Sequence, residues 1–271
     1  MSKSFQEQAS WEELSGLALS RQARRTYPTA LTDRRLERAF FTAMPVAMAA
    51  VVFLGFSRTF FLRPWFPEAK ALAAPEAVFY VHGILNTGWM ALLIVQALLI
   101  RRRRIGLHRQ LGILGVLLAG AIVIVGSGSC LVAAHRPGGF IGVPIPPLQF
   151  LAEVLPDMFL FGLFVGLAIV WRQNTQTHKR LMLLATINLL EAAIARIPLP
   201  CITNGPPLMA RWLSDVFILL LVIWDLSTRR RLHPATFWGG LLIVASQPLR
   251  LMVGETHAWL TFAKWAVGLL N

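Results

Sequence analysis

The chain has 271 residues, 56% of them hydrophobic and 14% charged, with a mean hydropathy of +0.60. These values exclude an ordinary soluble globular domain and fall in the range of polytopic membrane proteins. The formal net charge of +13 does not indicate nucleic acid: the basic residues lie between apolar runs, where they set topology and meet the headgroups of a lipid bilayer, and they form no groove interleaved with aromatics.

Residues 1–38 read as a cytoplasmic arm. Ser10 with Glu13 makes a capping box. Trp11, Leu14, Leu17 and Ala18 form an apolar stripe followed by Arg21, Arg24 and Arg25, the pattern of a short amphipathic helix on a membrane surface or against a partner helix. No cleavable signal peptide is expected, since this stretch is polar and the first apolar run is too long for one. The first crossing is expected from about Ala39 to Phe56, followed by an aromatic and proline-bearing segment suited to an interfacial belt.

The second crossing, Val78 to Ile100, spans about 23 residues, or roughly 34 Å of helix. His82, Asn86, Trp89 and Gln96 share one of its faces. Unpaired polar groups are costly in lipid, so this face should point into the bundle. Hydrogen bonding between helices is the plainer role for it. The sharper role is a ligand, haem or proton site at His82. Arg101–Arg104 then mark a cytoplasmic end. The third crossing, about Leu111 to Ala134, carries Gly112, Gly115, Gly120, Gly126 and Gly128, small residues that permit close helix contact. The fourth, about Phe150 to Trp171, contains Glu153, Pro156 and Asp157. The fifth, Leu181 to Ile197, contains Asn188, Glu191 and Arg196. The sixth, about Leu208 to Leu226, contains Arg211, Asp215 and Asp225. The seventh, about Ala235 to Val253, carries Ser246, Gln247 and Arg250. Residues 255–271 are too short for another crossing and read as an interfacial C-terminal helix.

The expected architecture is therefore an all-α, polytopic transmembrane helix bundle of about seven crossings, N-terminus inside and C-terminus outside. A 39–254 transmembrane domain follows the 1–38 arm. This topology places 18 of the 26 Lys and Arg residues on the inner side. Two cysteines, Cys130 and Cys201, are too few for a disulfide framework or a structural zinc site.

The same topology gathers ionisable residues in the outer half of the bundle. Glu153, Asp157, Glu191 and Asp215 face Arg196, Arg211 and Arg250, accompanied by His82, Asn86, Asn188 and Gln247. Each charge inside a membrane costs a few kcal/mol unless paired or wetted, so the cluster implies a polar pocket open to the outer side. An ion-pair scaffold is one reading. A substrate, proton or metal site is the other, with Glu191, the deepest, as its leading residue and Asp157 second. A second set comprises His108, His178 and His233, each at the cytoplasmic entry of an odd-numbered crossing. With His82 they are the candidate ligands of a haem or a divalent metal. Headgroup-level placement of amphipathic side chains is the plainer explanation for them, because no H-x-x-H or H-x-x-x-H pair sets two ligands on one face. No G-x-S-x-G, phosphate loop or H-E-x-x-H motif occurs.

The segments carrying His82, Gly83, Trp89 and Gln96, then LHRQLG, THKRLMLLATI, AIARIP, DLSTRRRLHPATFWGG and SQPLRL, resemble a family of uncharacterised bacterial multi-pass membrane proteins. That resemblance implies a bacterial cytoplasmic (inner) membrane and no particular activity. The HR-x-L-G and HKRLM pieces are similar to those of small membrane proteins tied to the assembly of haem-copper oxidases, which implies haem or respiratory-chain association. The crossing number resembles membrane zinc hydrolases of the ceramidase and adiponectin-receptor group in topology alone, because the seventh crossing lacks their histidine pair. The expected function is a non-enzymatic accessory or small-ligand-binding membrane protein whose pocket takes haem, a quinone or a lipid-like molecule. It would act alone, as a homo-oligomer or with a membrane-protein partner. A proton-coupled small-solute transporter and a metal-dependent hydrolase are the alternatives.

Overall fold

A computed structural model describes residues 34–67, 76–140, 143, 145–203, 205 and 208–270. The expected amphipathic helix with its Ser10–Glu13 capping box lies outside the described residues. The chain divides into two units, Met1–Phe41 and Thr42–Asn271. Of the first, the described part is the start of helix α1 (Arg34–Phe61). The second contains the remainder of α1, whose last turn, Ser57–Phe61, widens to a π-turn.

The next three helices are α2 (Ala77–Arg101), α3 (Ile105–His135) and α4 (Pro147–Val170). Then come α5 (Thr175–Asn188), the short α6 (Glu191–Ile194) and the short α7 (Pro200–Thr203). Last are α8 (Met209–Arg229), α9 (Pro234–Gly254) and α10 (His257–Gly268). Among the described residues there is no strand. Helices α1, α2, α3, α4 and α9 are long and apolar enough to cross a membrane. Their outward faces are apolar: Ile113, Leu117 and Ile124, on one face of α3, are 68%, 67% and 75% exposed. A stripe of that kind suits acyl chains, not water.

Two of the expected crossings differ from these five. Helix α8 has the length, at 21 residues, but carries Arg211, Asp215, Asp225 and Arg229. The expected fifth crossing is interrupted. α5 ends at Asn188, the chain turns through Leu189 and Leu190, and α6 restarts at Glu191. The carbonyl of Ile187 accepts both the Leu190 amide at 3.0 Å and the Ser214 hydroxyl at 2.9 Å, so α8 is tied to the chain at the break.

Successive helices pack as neighbours from α2 to α5, and α9 lies against α4, α5 and α8. At the centre, the Trp89 indole N–H donates to Thr186 Oγ1 at 3.1 Å and the ring meets Phe161 edge-on at 4.9 Å, tying α2, α5 and α4 together. The glycine-rich face expected of α3 is used at one point. A methyl group on Gly126 would fall 2.3 Å from Met158 Sδ, whereas Gly112, Gly120 and Gly128 meet open space. A closer, backbone-to-backbone approach involves α1, where Gly55 abuts the Ala193 carbonyl, and on α9 Gly239 makes room for the Leu184 side chain. α10 docks through Ala263, buried with Ala134 and Leu151, and its Trp259 indole donates to the Leu148 carbonyl at 2.8 Å.

Local signals explain the helix ends. Asn174 caps α5 by accepting from Gln176 and Thr177, both at 3.2 Å. The ring Nδ1 of His233 caps α9 by accepting from Ala235 at 3.1 Å. Just beyond α2 and α8, Arg103 and Arg230 take left-handed backbone conformations with φ of 59° and 57°. Glycine is the usual residue there, and a side chain costs about 1 kcal/mol.

Candidate functional site

The break between α5 and α6 sits in a ring of polar side chains. α4 supplies Glu153 and Asp157, four residues apart on one face, bracketing the helix-interior Pro156. α8 supplies Arg211, Ser214 and Asp215, and α9 supplies Gln247 and Arg250, again bracketing a helix-interior proline, Pro248. Asn188 and Glu191 come from the two sides of the break.

Arg211 Nη2 lies 2.6 Å from Glu153 Oε2 and 3.0 Å from Glu191 Oε2, bridging α4 and α6. Arg250 Nη1 donates to Asp157 Oδ1 at 2.5 Å and to the Glu153 carbonyl at 2.9 Å. Gln247 Nε2 reaches both oxygens of Asp215, at 3.0 and 3.1 Å. The Asn188 amide donates to the Asp157 carbonyl at 2.9 Å, holding the end of α5 against α4. The space among these groups is small, about 10 Å³, room for one water-sized occupant.

Two features set this cluster apart from a closed ion-pair scaffold. Four carboxyl groups stand against two guanidinium groups: Arg211 and Arg250 serve Glu153, Glu191 and Asp157, and Asp215 is held by the neutral Gln247. In addition, both carboxyl oxygens of Glu153 and the Nε of Arg250 are buried without a hydrogen bond. The short Arg211–Glu153 approach is therefore a charge contact off the N–H axis, and Glu153 keeps acceptor capacity in reserve.

Of the expected pocket residues, Asp157, Glu191, Arg211, Asp215, Gln247 and Arg250 line the space, and Glu153 backs it through Arg211. Arg196 does not line the space, although its charge acts on Glu191. It is exposed on the turn after α6, donates to the Ala192 carbonyl at 2.5 Å and stacks over Phe56 at 4.8 Å. His82 and Asn86 pair with each other instead: the Asn86 amide contacts His82 Nε2 at 3.3 Å and donates to the His82 carbonyl at 2.8 Å.

The four-histidine set does not assemble. Gln96, fourteen residues after His82 on α2, donates to the His108 carbonyl at 3.2 Å. His82 and His108 therefore sit at opposite ends of the α2–α3 hairpin, roughly 20 Å apart at 1.5 Å per residue, too far for one metal or haem iron. His108 and His178 do meet, with perpendicular rings 6.4 Å apart, and His178 Nδ1 bonds the Ala168 carbonyl at 2.8 Å. His233 spends its Nδ1 on the α9 cap. Burial first, then Arg180 and Arg229, push its imidazole down to about 4, which keeps it neutral for that role. Among the described residues, no group of three His, Cys, Asp or Glu side chains could hold a metal ion.

A second buried ionic cluster had no counterpart among the expected site residues. Arg180 and Asp225 are both fully buried. The Arg180 guanidinium grips Asp225 through Nε, at 3.1 Å to Oδ1, and through Nη2. Its Nη1 donates to the Gln176 carbonyl at 3.0 Å and side chain at 2.7 Å. Asp225 Oδ2 also accepts from the Thr236 hydroxyl at 2.6 Å and the His233 amide at 3.1 Å. Every element is satisfied, and α5, α8 and α9 are knotted together. The partners are 45 residues apart in sequence; the only local signal was an apolar helix that retains a carboxylate beside the Arg229–Arg231 run. Away from the crossings, Arg136 bonds Glu76 at 2.9 Å, holding that carboxyl below its usual range, and stacks on Phe79 at 4.2 Å.

The chain matches no family model, no curated protein and no solved structure.

Proposed function

We propose that the chain is a multi-pass protein of a bacterial cytoplasmic membrane that binds and releases a proton at the helix-break cluster, working as a proton-coupled carrier of a small solute. The observation that carries this reading is the imbalance of four carboxyl groups against two guanidinium groups. Two uncompensated negative charges in a water-poor interior are expensive, and protons or a small cation relieve them. Glu191 is the exchanging group of choice, since it stands on the short helix after the break and shares Arg211 with Glu153. A helix interrupted at a polar site is a device by which membrane carriers expose backbone and side-chain groups to a solute. In this reading α5 with α6, and α8, complete seven crossings with the N-terminus inside.

The small cavity favours a proton over the larger ligands first expected of the pocket. Haem, a quinone or a lipid-like molecule needs a cavity of roughly 300 Å³ or more.

The test is infrared difference spectroscopy of the full chain in proteoliposomes across a pH jump, together with proton flux reported by an entrapped dye. A protonated-carboxyl band that shifts in heavy water and vanishes in Glu191→Gln supports the proposal. Wild-type protein with no protonated carboxyl group at neutral pH, and no flux under any imposed gradient, overturns it.

A further inference from the structure

The Arg180 end of the bundle carries a second site, for which nothing so far accounts. Contacts place six helix termini on this one face. His108 of α3 meets His178 of α5, and Gln96 of α2 reaches His108. The Ala168 carbonyl of α4 meets His178. Asp225 of α8 meets both Arg180 of α5 and Thr236 of α9. The face gathers Arg101–Arg104, Arg172 and Arg229–Arg231. Within α2 to α9, the one carboxylate described at this end is Asp225, already engaged by Arg180, Thr236 and the His233 amide.

Charge alone would be the common asymmetry of membrane proteins. The backbone adds an independent observation. Arg103 and Arg230 hold φ of 59° and 57° at two of the three turns that close this face. These are positions where glycine relieves the strain that a side chain imposes. Two arginines therefore occupy strained positions, both at the same end and both exposed. Just below lie exposed Trp171 and Trp238, 48% and 66% accessible, with apolar Val170 and Phe237 beside them. Tryptophan above an apolar band and arginine above tryptophan is the layering of a headgroup region.

We propose that Arg103 and Arg230, each at its own turn, anchor the phosphates of anionic phospholipid headgroups, making this face a lipid-selective docking surface. The guanidinium fork suits a phosphate diester, and the apolar helix sides beneath take the acyl chains. The strain is retained because the charge is needed at those two turns.

The experiment uses the full chain in mild detergent and counts bound lipid by native mass spectrometry. Phosphatidylglycerol and phosphatidylcholine of the same acyl chains are titrated in parallel, with inorganic phosphate as competitor. Phosphatidylglycerol should bind first. Arg103→Gly and Arg230→Gly should each weaken it about fivefold while leaving thermal stability equal or higher, since glycine suits both turns. Arg103→Lys with Arg230→Lys should retain most of the preference, and Lys264→Gln, on α10, should leave it intact. Equal binding of the two lipids overturns the proposal, as does unchanged selectivity in the glycine variants. So does an equal loss in Lys264→Gln, which would reduce the effect to net charge. Complete displacement by millimolar phosphate also overturns it and assigns the face to a free anion.

Discussion

Helices α5, α8 and α9 each contribute to two buried ionic clusters, about 20 Å apart along their axes, and the two are built differently. At one end Arg180 and Asp225 form a one-to-one pair whose hydrogen-bonding groups are filled by Gln176, Thr236 and the His233 amide. At the other, Glu153, Asp157 and Glu191 divide Arg211 and Arg250 among them and Asp215 is held by Gln247, with atoms of Glu153 and Arg250 left without hydrogen bonds and a water-sized space between. In the first the carboxylate is matched by a guanidinium and its oxygens are filled, an arrangement suited to holding helices in register. The second is charge-unbalanced and sits where a helix is broken, so its protonation and its geometry can change together. Burial of charge is common to both; satisfaction separates structure from chemistry.

The comparison breaks first at Arg180. Arg180→Met strands a fully buried carboxylate and should cost about 3–5 kcal/mol, read as a large fall in the thermal unfolding midpoint in detergent. Arg211→Met should cost less, about 1–2 kcal/mol, because Glu153 and Glu191 can answer the loss by taking up protons; the deficit should shrink as the pH is lowered. A cost equal to that of Arg180→Met would make the two clusters alike and remove the argument for exchange. Trp89→Phe, which deletes the hydrogen bond to Thr186 between the clusters, should cost about 1 kcal/mol whatever the pH.

Smaller effects sharpen the same contrast. His233 is held down to about 4 from an ordinary 6.5, so the unfolded chain binds its proton more readily than the folded one. The stability it contributes is full above about 6.5 and is lost as the pH falls through about 4. His233→Asn keeps a capping side chain and should flatten that part of the pH–stability curve. Glu191→Gln should change stability least, by under about 1 kcal/mol, because it removes a charge from a site with too many, while abolishing the exchangeable-proton signal.

The apolar runs made most helices legible, since twenty or more lipid-compatible residues between basic turns leave few alternatives. The break at Leu189 and Leu190 was not legible. The run LMLLATINLLEAAIARIP reads as one continuous apolar helix, and the contacts at the interruption are made by distant residues: the Ser214 hydroxyl donates to the Ile187 carbonyl and the Asp157 carbonyl accepts from the Asn188 amide. The pocket acids and arginines were legible from depth alone. Arg196 lies away from them because its guanidinium turns back onto the Ala192 carbonyl and the Phe56 ring, a contact between α1 and the turn after α6 that no local pattern announces. The pairing of Arg180 with Asp225 was hidden because HKR at 178–180 looks like any headgroup-level basic triplet, and nothing local says that one of its members turns inward.

The contact between Gly55 and the Ala193 carbonyl has a mechanical consequence. With no side chain between them, the backbones of α1 and α6 are in direct contact: a methyl group at Gly55 would meet that carbonyl oxygen at 2.0 Å. A displacement of Glu191 on its four-residue helix would therefore press on α1. For the carrier proposed above, Gly55→Ala is expected to lower flux by obstructing that movement without touching a charged group.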